Sequence, residues 1–168
     1  TYVLRCTATN EVGQSFADVA VTVPGNAPWR QTRVTFPGYG RGEALTNFPA
    51  LVVLGAHIPG FDYADFLDEA GGDLRFFAAD GSTPLNHEIE SWAPDGLSHV
   101  WVQVPRLTNG CSVIARWGDP SAADAPPCTT NGATWANGFL GVWHLAETQG
   151  AHLDSSPRRS ASRLVQVD

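Results

Sequence analysis

The 168-residue chain carries a formal net charge of −7, with 43% hydrophobic and only 16% charged residues. It is too apolar for a disordered tail, and its acidity repels nucleic acid and anionic lipid, so neither is expected as a partner. No apolar run approaches the roughly 18 residues of a membrane span.

The chain has no methionine and opens on Thr1-Tyr2-Val3-Leu4, which already alternates like the middle of a strand. It reads as a fragment of a longer chain, so the lack of a signal peptide carries no information. Cys6, Cys111 and Cys128 are the three cysteines. An odd number fits a chain in which one partner lies elsewhere.

The 17 glycines and 12 prolines fall between short β-rich runs, the punctuation of a sandwich or barrel. Residues 1–24 read as a hairpin, with alternation on either side of an Asn10-Glu11-Val12-Gly13 turn. Two strands alone are marginal, so this hairpin needs further strands. Residues 25–28, after Pro24, read as a linker. Residues 29–120 read as strands at Arg30–Phe36, Phe48–Leu54, Leu74–Phe77, Leu85–Trp92, Ser98–Val104 and Cys111–Trp117. Tyr63–Glu69 is the one helical candidate. Gly38-Tyr39-Gly40-Arg41-Gly42-Glu43 lacks phosphate-loop spacing and reads as a loop between strands. Residues 121–136 read as a loop. The expected fold class is all-β, with a central antiparallel, jelly-roll-like β-sandwich.

Three resemblances follow from particular runs. Cys6-Thr7-Ala8-Thr9-Asn10-Glu11-Val12-Gly13 resembles the last hairpin of an immunoglobulin-like domain, with Leu4 where that family usually has Tyr. The family implies a partner for Cys6 on an upstream strand. In the centre, Leu45-Thr46-Asn47-Phe48-Pro49 comes first, followed by Gly72-Asp73-Leu74-Arg75-Phe76 and then His87-Glu88-Ile89-Glu90-Ser91-Trp92. Val100-Trp101-Val102-Gln103-Val104-Pro105 and Trp117-Gly118-Asp119-Pro120 complete the order. Together they resemble domain of unknown function 2341 over about residues 29–120. That resemblance implies a module of large secreted bacterial or archaeal proteins, with no activity to carry over. Gly138-Phe139-Leu140-Gly141-Val142-Trp143-His144-Leu145 and Asp154-Ser155-Ser156 resemble the start of a concanavalin A-like (laminin G-like) jelly roll over 137–168, incomplete within this chain.

Candidate chemistry centres on Glu88 and Glu90. On a strand they share one face about 7 Å apart, a spacing open to glycosidase chemistry. The plainer alternative is a solvated or Arg-paired face, with Arg75 and Arg116 as partners. Trp92 and Trp101, on neighbouring strands, are the candidates for a sugar-stacking platform; packing is the ordinary alternative. Cys111 and Cys128 are expected to pair as a disulfide, which fits an oxidising setting. The histidines form no metal-binding pair, and the acidic run Asp62–Glu69 lacks calcium-loop spacing, so no metal and no cofactor are expected. No nucleophile motif can be assembled.

Three readings result. The first is a non-catalytic module of a secreted or cell-surface bacterial protein that binds polysaccharide or a surface component, or acts as an adhesion or spacer domain. The second is a glycoside hydrolase using Glu88 and Glu90. The third is a structural junction between neighbouring domains of one parent chain.

Overall fold

The computed structural model describes the backbone of residues 2–10, 13–21, 29–160 and 162, and the side chains of 29–160 and 162. The 25–28 linker and the side chain of Cys6 lie outside the described residues.

Alternating apolar residues build two antiparallel sheets. β1 (Tyr2–Asn10) and β2 (Gly13–Val21) pair from Tyr2–Val21 to Asn10–Gly13. β2 pairs with β3 (Arg30–Phe36) through Val19–Val34. The next strands are β4 (Leu45–Leu54), β5 (Arg75–Ala78), β6 (Pro84–Leu85), β7 (His87–Ser91), β8 (Ser98–Leu107) and β9 (Cys111–Trp117). One sheet runs β1-β2-β3-β9-β5-β6 and the other β4-β8-β7. The protein is therefore all-β, a sandwich of two antiparallel sheets.

The core lies between the sheets. Val34, Phe76, Val113, Ala115 and Trp117 face Val52, Leu54, Val100, Val102 and Val104 in one buried cluster. Each valine, leucine or phenylalanine among them, taken from water, stabilises the fold by roughly 1.5–3 kcal/mol. At one end Phe61, Tyr63, Phe66, Trp92 and Trp117 pack ring against ring, with Phe66 stacked on Trp117 at 5.6 Å.

Asp73, fully buried, ties the loops at that end. Its carboxylate accepts the backbone N–H groups of Leu67, Asp68 and Gly118. Gly118 sits at φ +73, where an added Cβ would lie 2.7 Å from the Asp65 carbonyl, so only glycine fits this turn.

Four expectations are corrected. The helix at Tyr63–Glu69 is only a 3₁₀ turn at Tyr63–Asp65. Asp62 caps it, Phe66 is already extended, and Asp73 captures the next two amides. The strand at Leu85–Trp92 is two strands in different sheets: the chain crosses at Asn86, whose carbonyl accepts the Gln103 amide.

Cys111 and Cys128 are free thiols. Cys128 and Phe76 line one cleft, and Phe76 pairs with Ala115. Cys111 is four positions earlier on β9, roughly 13 Å along the strand, whereas bridged Cα atoms lie within about 7 Å. Finally, Arg75 and Arg116 belong to the other sheet and do not pair with Glu88 or Glu90. Arg75 donates to the carbonyls of Gly72, Leu74, Ala122 and Asp124. Arg116 lies between the rings of Trp29 and Phe77.

Candidate functional site

The outer face of the β4–β8–β7 sheet collects the polar and aromatic candidates. On β8, Val100, Val102 and Val104 point inward, so His99, Trp101 and Gln103 point outward. Glu88 of β7 lies opposite Trp101, and Ile89 opposite Val100. The register then slips, so that Ser91 lies opposite His99. This β-bulge inserts Glu90 as an extra residue and shifts the alternation by one. Glu88 and Glu90 stay outside, Ser91 joins them to meet the His99 ring at 2.9 Å, and Trp92 turns inward.

Trp92 and Trp101 therefore do not share a face. Trp92 packs edge-on against Tyr63 and Phe66 and donates its indole N–H to the Glu69 carbonyl. Its ring lies flat over Gly71, where a Cβ would come within 2.8 Å.

Residues from beyond residue 130 cover the carboxylates. A 3₁₀ turn at Ala133–Trp135 brings Trp135, 5% exposed, over Trp101, with the Thr134 carbonyl held by Gln103. Trp135 Nε1–H donates to Glu88 Oε2 at 2.8 Å, and Trp101 Nε1–H donates to Glu90 Oε2 at 3.0 Å. His144 fills the space between the two carboxylates. Its Nε2 lies 3.0 Å from Glu88 Oε1, and its Nδ1 contacts Glu90 Oε2. A neutral imidazole has one donor and one acceptor, whereas an imidazolium donates at both nitrogens. Carboxylate oxygens flank the ring on both sides.

The segment carrying His144 is knit by Asp154. Trp143 and Asp154 form an isolated antiparallel bridge, and residues 138–145 form no strand. Burial alone would raise the Asp154 carboxyl. The amides of Val142, Ser156 and Ser160 and the Ser156 hydroxyl outweigh burial and hold it at about 2. Glu147 is likewise held at about 2 by the Leu153 amide and then by His152.

A second group of residues lies on the other side of β7. His87 points into the core, 1% exposed, with its ring 5.3 Å from that of Phe76. Burial lowers it to about 4, against a smaller opposing effect of the Leu85 backbone. Its Nδ1 lies 3.9 Å from the Cys128 sulfur, at a cleft of about 340 Å³ walled by Pro84, Pro126 and Pro127.

Sequence reasoning brought Glu88, Glu90 and Trp101 together and missed Trp135, His144 and His87. His144 and Trp135 reach the site only through tertiary folding, and no local pattern marks them. His87 carries a usable signal: on β7 it alternates with Glu88, so two outward glutamates imply an inward histidine.

The motif residues have identifiable structural tasks: Asp73 and Arg75 gather carbonyls and amides, Trp117 fills the core, and Asp119 caps the 3₁₀ turn at Pro120–Ala122. No curated protein and no solved structure matches the chain. Residues 70–139 match the family model described as Domain of unknown function (DUF2341), the family that the central motifs resemble.

Proposed function

We propose that the chain is a non-catalytic spacer or adhesion module of a large secreted or cell-surface bacterial protein. In this reading the outer face of the β4–β8–β7 sheet serves as a dock for the chain segment that follows it. One observation carries the proposal: the His144 ring occupies the gap between Glu88 and Glu90. A glycosidase needs that gap for the scissile bond and its attacking group. Both Glu88 oxygens and one of Glu90 are already bonded within the protein, and indole donors hold both side chains in place. The predicted sugar platform is divided as well, with Trp92 packed on the core and Trp101 under Trp135.

The test is an assay of the intact chain on a panel of soluble glucans, xylans and mannans. Release of reducing ends is expected to stay at background in wild type, Glu88→Gln and Glu90→Gln. Hydrolysis by wild type that both variants abolish would overturn the proposal in favour of an enzyme. Saturable glycan binding lost in Trp101→Ala would replace the spacer role with a lectin role.

A further inference from the structure

We infer that His144 is a proton-dependent latch, closing the segment around it onto the outer sheet face while its imidazole is charged and loosening it when the proton leaves. The inference rests on the docking role proposed above and adds its regulation.

The geometry sets the sign. Each ring nitrogen of His144 faces a carboxylate oxygen, Glu88 through Nε2 and Glu90 through Nδ1. When the ring loses its proton, one nitrogen presents a lone pair to a carboxylate oxygen, and attraction becomes repulsion. Two negative side chains then sit at close range under partial cover, without the cation between them. The charged groups bonded to His144 among the described residues are these two, both on β7. β8 and the 3₁₀ turn at Ala133–Trp135 contribute indoles, Trp101 and Trp135, which do not titrate. The other histidine of the segment, His152, is paired with Glu147 at 3.0 Å and belongs to a separate contact.

A second observation favours release. Leu145, next to His144, is held at φ +57 with its side chain 66% exposed. A leucine in the left-handed region is strained, and no packing of its own offsets that strain. Asp154 ties the backbone on the other side of His144, through Val142 and Trp143, so the strained step lies between the latch and the rest of the segment.

The experiment compares the intact chain at about pH 6 and about pH 9, on either side of the usual imidazole range. Hydrogen-exchange protection of the amides around residues 139–147 is measured, divided by the intrinsic rate at each pH. The indole N–H resonances of Trp101 and Trp135 are followed in parallel. Protection is expected to fall by about tenfold or more at the higher pH, as charge-assisted bonds are lost, and both indole signals are expected to move together. His144→Gln is expected to show low protection at both pH values, and His152→Gln to keep the wild-type step. Equal protection at the two pH values in wild type, or a step retained in His144→Gln, would overturn the latch. Neither outcome bears on glycan hydrolysis or binding, so the latch can fail while the spacer role stands.

Discussion

The two faces of the β4–β8–β7 sheet are built from adjacent residues and obey different rules. The inner face holds Val100, Val102 and Val104, with His87 the single titratable side chain of β7 among them. The outer face holds Trp101, Glu88 and Glu90, bound to one another and to His144 by directed polar contacts. Packing fixes the first and hydrogen-bond geometry the second. The inner face should therefore govern global stability, and the outer face whether one segment stays docked.

The largest effect is expected in the core. Trp117→Ala removes a side chain only 1% exposed and should cost about 4 kcal/mol by denaturant melting. A loss below about 1 kcal/mol would mean that the aromatic end is loosely packed.

Next is the buried histidine. His87 titrates at about 4 in the fold against an ordinary 6.5. Between those values the unfolded chain binds the extra proton, so stability falls as pH drops through this window and levels off below it. The shift corresponds to roughly 3 kcal/mol. His87→Leu should flatten stability against pH in this range, and an unchanged slope in the variant would assign the acid sensitivity to other groups.

The smallest effect belongs to the outer face. Trp135→Phe keeps the ring and removes the donor to Glu88, which should cost about 1–2 kcal/mol, felt mainly as lost protection near residues 133–145. A global loss as large as that of Trp117→Ala would erase the distinction between the faces.

Much of the fold was legible because strands of regular period announce themselves. Arg30–Phe36 and Cys111–Trp117 were read with the bounds they have, and Val100, Val102 and Val104 gave the orientation of β8. Elsewhere local pattern and tertiary demand part company. Nothing in Leu85-Asn86-His87 says that the chain changes sheets, because both halves keep strand-like residues. The bulge after Ile89 is silent too, since Glu90 and Ser91 are as acceptable in regular strand as beside a slip. That silence paired Trp92 with Trp101. The site was half legible: Glu88, Glu90 and Trp101 are local, whereas His144 lies 56 positions from Glu88 and is joined to it only by the folded chain.

The slip between Ile89 and Ser91 acts as a shift of reading frame within one strand. Upstream of it, odd-numbered residues are written into the core; downstream, even-numbered ones are. Glu88 and Glu90 are thus read in a different frame from Trp92, three consecutive alternate positions that an uninterrupted strand would deliver to one side. The aromatic end around Trp92 and the polar cluster around Glu88 can therefore vary in sequence independently. Deleting Glu90, the extra residue, would restore regular pairing with Ser91 still opposite His99 and Trp92 still turned inward, and would cost the outer face one of its two carboxylates.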